Sequence, residues 1–265
     1  MKKEIKVLVA IGVAATAAMY VTNKVIERKT KLLEEEEPVE RGLKYSFRHG
    51  DVYYVKKGEG APILLLHDIE PDASHMDWKD SINGFTEGHC VYALDLPGCG
   101  KSEKPNFIYS NYMYVELIND FVRDVIGEKV TVIAEGVSCS AALMAANMND
   151  DIIKKLIFVN PASLNELKQN PDRVRDNVLT VFRIPILGEF IYNMMYWNCD
   201  DRAFLAAHRD KNRGRFLLSS IIGRYTGINI THALGKAKVP VVILGDKKEA
   251  EGYRIFNDSI EILGA

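Results

Sequence analysis

The stretch from residue 130 to residue 143 constrains the fold more than any other part of the chain. It begins with the β-branched segment Val130–Ile133, turns at small residues and continues into an alanine-rich segment. A strand, a sharp turn and a helix in this order are typical of a corner that exposes a nucleophilic side chain. The usual pattern there is Gly-x-Ser-x-Gly, and this chain has Gly136-x-Ser138-x-Ser140. Whether a nucleophile stands on this corner decides what chemistry the protein can perform.

Strand and helix patterns alternate on both sides of this corner. Continuous apolar runs, typical of strands buried on both faces of a parallel sheet, occur at residues 62–67, 91–95, 130–133, 156–159 and 239–245. This alternation predicts an α/β fold with a doubly wound, mostly parallel sheet. Residues 162–235 contain apolar helical segments without a strand-like run, which predicts a helical insertion.

The first 31 residues carry an apolar segment between basic flanks, and we expect them to stand outside the globular body. The uncharged run from Val7 to Asn23 would reach roughly 25 Å as a helix, close to the ~30 Å of a bilayer core. We predict an uncleaved membrane anchor, with a charged linker at residues 32–41 and the globular body at residues 42–265. The basic residues after the run favour the cytoplasmic side for the body.

Two other interpretations of this segment stay open. Ala15-Thr16-Ala17 resembles a small-x-small cleavage site, so the segment could be a secretory signal. A buried helix of a soluble protein is the third interpretation.

Composition excludes several classes of function. The chain has 265 residues and a net charge of −2, so nothing in its charge indicates nucleic-acid binding. Its four cysteines are widely separated, which argues against a metal cluster or a disulfide framework.

The loop Asp95–Pro105 carries the most specific signal. It reads Asp-Leu-Pro-Gly-Cys-Gly-Lys-Ser-Glu-Lys-Pro. A phosphate-binding loop would need glycine where Asp95 stands. The segment instead resembles the loop after the fourth strand of α/β-hydrolases, and Leu64–Asp68 is similar to that family's apolar strand ending in His-Gly. The resemblance covers residues 42–265 and makes residues 162–235 similar to the family's cap. It implies hydrolysis of esters, amides, epoxides or carbon–halogen bonds without a cofactor or a metal.

The resemblance leaves the nucleophile open between two positions. Aligning the strand before the corner, or counting back from Asn160-Pro161, places Gly136 at the nucleophile position. The local Gly-x-Ser pattern places Ser138 there instead. Cys139 is a third, weaker candidate, and a small packed thiol is the simpler interpretation.

The other members of a catalytic triad are not evident. Lys248 stands where the family has its acid, and the neighbours Asp246 and Glu249 are the substitutes we consider. The family's histidine follows the last strand, and none follows the run at residues 259–263. We consider His232 as a replacement reaching the pocket from the cap.

The oxyanion donors implied by the resemblance are the N–H of Ile69 and the N–H after the nucleophile. That second donor is Cys139 if Ser138 is the nucleophile and Val137 in the alternative register. Asp68 replaces the usual glycine and adds a carboxylate where negative charge should develop, which is electrostatically unfavourable.

Three hypotheses about function follow. The first is a membrane-anchored serine hydrolase for small apolar ester-like substrates, weak or inactive as written. The second is a non-catalytic hydrolase-fold protein that binds a ligand or partner through its capped pocket. The third is a shortened version of a longer, active relative.

Overall fold

The computed structural model describes residues 2–37, 42–149, 151–169 and 179–264. Eight strands form its single sheet: β1 Leu43–Phe47, β2 Gly50–Lys57, β3 Ala61–Leu66, β4 His89–Leu94, β5 Val130–Glu135, β6 Ile153–Val159, β7 Val241–Gly245 and β8 Glu261–Gly264. The α-helices of the described residues are α1 Lys2–Glu36, α2 Lys79–Phe85, α3 Asn111–Phe121, α4 Ser138–Met148, α5 Leu164–Leu167, α6 Leu187–Met195, α7 Asp201–Asn212, α8 Gly214–Ile222, α9 Thr231–Gly235 and α10 Lys247–Arg254, and a 3-10 helix at His75–Trp78 and a π-helical turn at Val122–Ile126 accompany them.

The strand order is β1-β2-β4-β3-β5-β6-β7-β8; β2 pairs antiparallel with both β1 and β4, and the other neighbouring strands are parallel. The predicted α/β fold with a mostly parallel sheet is therefore confirmed. Strands β3 and β5 lie side by side at the centre, and both are almost fully buried because helices cover the two faces of the sheet. Their carboxyl ends meet at one edge, where the loops that follow them come together.

Helices α5 to α9 lie between β6 and β7, in the part of the chain where the sequence predicts a helical insertion. We call α6, α7 and α8 the cap. Its own small core joins Leu179 and Phe182 to side chains of these three helices, among them Tyr192, Ala207 and Leu218.

Helix α1 has two halves with different surroundings. The first half exposes its apolar side chains, and it belongs to the one described helix that is long and apolar enough to cross a membrane. The second half packs against the cap and buries Asn23, Ile26 and Thr30. This differs from the expectation that residues 1–31 stand outside the globular body. The helix also continues through the expected boundary with the linker and ends at Glu36, and its last turns meet opposite charge on the cap, as in the ion pair of Glu34 with Arg209.

Candidate active site

The turn between β5 and α4 is built on Gly136. Its φ of 58° lies in the left-handed region, which a residue with a side chain enters only at a cost of about 1–2 kcal/mol. Its N–H donates to the carbonyl of Val159 (3.2 Å), and its carbonyl accepts from the N–H of Ala162 (3.2 Å), which ties the corner to the end of β6. The residue at the corner is thus Gly136, the position that two of the three sequence registers indicate for the nucleophile.

Ser138 is the first residue of α4 and lies below the corner. Its side chain is buried, and its hydroxyl donates to the carbonyl of Glu135 (2.7 Å), with the carbonyl of Leu66 at 3.3 Å. The structure therefore does not present the Ser138 hydroxyl where a nucleophile would act. Cys139 is fully buried against the carbonyl of Ala134 (3.1 Å), and burial raises the pKa of its thiol, which disfavours the reactive thiolate.

Two backbone N–H groups converge beside this corner. The N–H of Ile69, after β3, and the N–H of Val137, at the start of α4, both point to one position. Such a pair is the usual device for binding the oxyanion of an acyl-transfer reaction. The sequence left Cys139 and Val137 open as the second donor. The N–H that points to the same position as that of Ile69 belongs to Val137, the donor expected if Gly136 is at the nucleophile position.

The carboxylate of Asp68 occupies this position. Its Oδ1 accepts from both N–H groups, at 2.7 Å each. A Cβ on Gly136 would overlap the same carboxylate, so the Asp68 side chain fills both the anion site and the space above the corner. Burial raises the pKa of Asp68, although the N–H groups of Val137 and Ile69 act in the opposite direction.

Further carboxyl groups surround Asp68. Burial, followed by the charge of Asp68, raises the pKa of Glu70 to about 7. Burial, followed by the negative charge of Asp68, also raises the pKa of Glu135. These groups disfavour additional negative charge at the corner, so an oxyanion there would meet repulsion where it needs stabilisation.

The histidine next to this site has a structural role. His67 is fully buried, and its Nε2 accepts from the N–H of Leu96 (3.0 Å). The ring proton is therefore on Nδ1 and is donated to the carbonyl of Asp68 (2.6 Å). Burial lowers the pKa of His67, which keeps the ring neutral.

The other residues considered for the triad have exposed side chains. Asp246 is exposed and caps α10, where its Oδ1 accepts from the N–H groups of Lys248 (2.9 Å) and Glu249 (3.0 Å). The Glu249 side chain is exposed. His232 is exposed on α9 and lines a groove with Met144, a residue of α4.

Sequence reasoning missed one histidine–carboxylate pair. Asp95 is fully buried, and its Oδ1 accepts from the backbone N–H of His75 (2.6 Å) and lies 2.7 Å from the Nδ1 of the same residue. Its Oδ2 accepts from the N–H of Lys101 (2.7 Å). The sequence contained the information needed to find this pair. Asp95 follows β4 and His75 lies after the adjacent parallel strand β3, so both residues belong to the same edge of the sheet.

His75 and Asp95 line a cavity of about 340 Å³ between the cap, the loop after β3 and the end of α1. Its wall combines apolar side chains with charged ones, and it includes Leu33, Met76, Lys79, Arg202 and Leu205. Within the described ranges, no group of three or more His, Cys, Asp or Glu side chains is arranged to hold a metal ion.

A sequence model of the family described as alpha/beta hydrolase fold matches residues 62–199. The soluble epoxide hydrolase of Corynebacterium sp. (strain C12) is 30% identical over 109 residues, which are 41% of this chain and 37% of that protein. Epoxide hydrolase 4 of Mus musculus is 28% identical over 152 residues, which are 54% and 42% of the two chains.

A third curated relative is the 2-hydroxy-6-oxo-6-(2'-aminophenyl)hexa-2,4-dienoic acid hydrolase of Metapseudomonas resinovorans, which is 24% identical over 113 residues, or 42% of this chain and 39% of the relative. The matched part of this chain thus spans about two fifths of the length of these relatives.

Solved structures match over a larger part of the chain. The epoxide hydrolase CorEH superposes with a TM-score of 0.66 at 18% identity, covering 85% of this chain and 90% of that one. The haloalkane dehalogenase DbeA from Bradyrhizobium elkani USDA94 superposes with a TM-score of 0.63 at 14% identity, again covering 85% and 90%. At these identities the superpositions establish the fold.

Proposed function

The chain belongs to the alpha/beta hydrolase fold family, and we propose that it is a membrane-anchored member that binds a small ligand and does not act as a serine hydrolase. One observation carries the proposal: the Asp68 carboxylate accepts both N–H groups that would otherwise bind an oxyanion. Hydrolysis of an acyl substrate draws much of its rate from such N–H groups, and the loss of one donor costs roughly 10²–10³ in kcat. In this protein both N–H groups already donate to the Asp68 carboxylate, which would carry the same negative charge as the oxyanion.

The nucleophile position supports the same conclusion. Gly136 offers no side chain, and the Ser138 hydroxyl is bonded to the backbone inside the protein. A serine nucleophile also needs a base within hydrogen-bond reach. His67, the histidine beside this corner, uses both ring nitrogens in backbone hydrogen bonds.

The cavity beside His75 is the binding site that we propose. Its volume of about 340 Å³ falls at the lower end of the range of small-molecule sites, roughly 300–1,000 Å³. Apolar side chains such as Leu33 and Leu205 share its wall with equal numbers of basic and acidic side chains, Lys79, Lys101, Arg202 and Arg209 against Glu36, Glu37, Asp95 and Asp201. This lining suits a small amphipathic molecule with a polar end.

The membrane anchor is supported by the surroundings of the first half of α1. Its side chains from Ile5 to Val21 are mostly exposed, and the most apolar window of the helix is 0% buried. Apolar surface of this extent is unfavourable in water, since each Å² of apolar surface left in contact with water costs about 25 cal/mol. A bilayer removes that cost.

Hydrolysis of small apolar ester-like substrates is the second candidate function. The observation that favours it is the convergence of the Ile69 and Val137 N–H groups, the arrangement that acyl transfer uses. This activity would require the Asp68 carboxylate to leave the two donors when substrate binds.

One experiment separates the two candidates. The full-length protein in detergent is treated with a fluorophosphonate probe and with a short-chain nitrophenyl ester, in parallel with S138A. We expect no labelling and equal background hydrolysis in both proteins. Labelling or turnover that S138A abolishes would contradict the proposal and support the hydrolase.

Ligand binding is tested with 8-anilinonaphthalene-1-sulfonate, an amphipathic anion whose emission rises in apolar sites. We expect saturable binding that L205W weakens by filling the cavity, while I255W, an exposed change after α10, leaves the binding unchanged. Equal binding by both variants would place the site elsewhere.

A further inference from the structure

The hydrogen bonds of Asn23 fix the position of the cap along α1. The Asn23 Nδ2 donates to the carbonyl of Ile186 (3.0 Å), and its Oδ1 accepts from the Nδ2 of Asn193 (2.9 Å). Both Asn23 and Asn193 are buried, so this contact is part of a packed interface. Ile186 precedes α6 and Asn193 lies near its end, so α6 crosses α1 at the level of Asn23.

The length of the exposed apolar half of α1 sets the distance from this contact to a bilayer. The residues from Ile5 to Val21 span roughly 25 Å as a helix, against a hydrocarbon core of ~30 Å. Asn23 follows Val21 by two residues, or about 3 Å of helix. If this half of α1 crosses a membrane centred on it, Asn23 lies at the boundary between the hydrocarbon core and the headgroup region, which adds about 5–7 Å on each side of the core, and α6 lies at the same level.

The outer surface of α6 has the side chains that this position requires. Helix α6 packs with Tyr192 and Asn193 inward, while Met194 and Met195 are 43% and 54% exposed. Trp197, just after the helix, is 46% exposed, and Ile184, just before it, is 43% exposed.

Charged side chains border this surface. Lys24 on α1 and Arg183 before α6 are exposed, and the carboxylates of Glu27 and Glu189 lie near Lys24. Tryptophan is enriched at the boundary between hydrocarbon and headgroups, and basic side chains are attracted to anionic lipids there.

We propose that the exposed side chains at the two ends of α6, Ile184 before it and Met194, Met195 and Trp197 at and after its end, rest in the headgroup region of the bilayer that α1 crosses. The inference rests on the proposed membrane anchor and adds a second contact, made by the cap. The occupant is a lipid surface, because the hydrogen bonds of Asn23 place α6 next to the point where the exposed apolar half of α1 ends. The cap would then be held against the membrane and the sheet would project away from it.

Tryptophan fluorescence tests this contact directly, since the chain has two tryptophans, Trp78 and Trp197. Trp78 is buried, and W78F leaves Trp197 as the single reporter. The full-length W78F protein is reconstituted into phosphatidylcholine vesicles containing some phosphatidylglycerol, with lipids brominated at shallow acyl positions. We expect Trp197 to lose most of its emission to the brominated lipids, relative to the same protein in vesicles without brominated lipid.

Two controls make the outcome specific. Full-length W197F reports from buried Trp78, and W78F/W197F/I255W reports from an exposed position after α10; both are expected to keep their emission. Quenching at position 255 equal to that at position 197 would overturn the proposal. Concentration-dependent shielding of Trp197 without lipid quenching would overturn it in favour of contact with a second copy of the chain.

Failure of the anchor is measured separately, by flotation and by resistance to alkaline extraction. A protein that floats and resists extraction while Trp197 stays unquenched overturns the contact of α6 and leaves the anchor intact. A protein that is extracted overturns both.

Discussion

The carboxylate of Asp68 lies where a side chain on Gly136 would have to be. The two residues follow neighbouring strands, β3 and β5, and are brought together because these strands are parallel and end at the same edge. Asp68 holds the two N–H groups of the corner, and Gly136 gives it the room to do so. Each residue is therefore compatible with the other, and each departs from the pattern of a working acyl hydrolase.

We expect G136A to destabilise the protein by more than the strain of its backbone alone. A left-handed alanine costs about 1–2 kcal/mol, and the new methyl group must also displace the Asp68 carboxylate. In D68G/G136A the displacement is absent, so the double variant should recover part of the loss. Denaturant unfolding of wild type, both single variants and the double variant measures the coupling, expected at about 1–3 kcal/mol. Additive effects would show that the two positions do not compete for space.

The raised pKa of Glu70 predicts a pH dependence of stability. Its value of about 7 in the folded protein exceeds the ordinary value of 4.5, so the folded state holds a proton that the unfolded state has lost between these pH values. The free energy of unfolding should therefore fall as pH rises from 4.5 to 7. E70Q should remove the part of this dependence that comes from Glu70 and raise stability at pH 8 by roughly 1–3 kcal/mol, while the raised pKa values of Asp68 and Glu135 leave a smaller dependence of the same sign.

Two comparisons isolate the contribution of Glu70. His208 is buried with a pKa lowered to about 4, so its contribution is present above pH 6.5 and is lost as pH falls through 4, the opposite direction. The difference between E70Q and wild type at each pH separates the two groups. E59Q, at an exposed turn, serves as the control. Parallel profiles for E70Q and wild type would contradict the assignment.

N23A should loosen the contact between α1 and the cap. The change removes two hydrogen bonds and leaves the Nδ2 of Asn193 buried without this acceptor, at a cost of about 1–3 kcal/mol. V25A, at an exposed position on the same helix, should change stability by less than about 0.5 kcal/mol. Unfolding and limited proteolysis of the full chain in detergent compare the two variants. Similar proteolysis patterns would mean that Asn23 does not hold the cap.

Two aspartates that accept backbone N–H groups should respond differently to substitution by asparagine. D95N should cost about 2–4 kcal/mol, because one oxygen of buried Asp95 becomes an NH₂ group facing a donor from His75 or Lys101. D246N should be nearly neutral, because asparagine and aspartate are about equally good at the start of a helix. Thermal unfolding measures both. An equally large effect of D246N would indicate a role for Asp246 beyond capping α10.

Local patterns in the sequence determined the α/β fold. The β-branched and apolar runs identify strands because a strand buried on both faces needs an apolar side chain at every position. For the turn after β5, two registers taken from the family resemblance indicated Gly136 and the local Gly-x-Ser pattern indicated Ser138, so the sequence left the corner residue open. The apolar half of α1 was also recognisable from the sequence, because the length of an uncharged run can be compared directly with the thickness of a bilayer.

Contacts between distant segments were decided by the tertiary structure. The sequence showed that Asp68 was unusual, but only the pairing of β3 with β5 brought its carboxylate onto the Val137 N–H. Ser138 matched a motif, yet the direction of the first turn of α4 turned its hydroxyl inward. Asn23 looked like the end of a membrane segment and became the link to the cap through Asn193. In each case the residue type was known from the sequence, while its partner depended on how two separately formed elements pack.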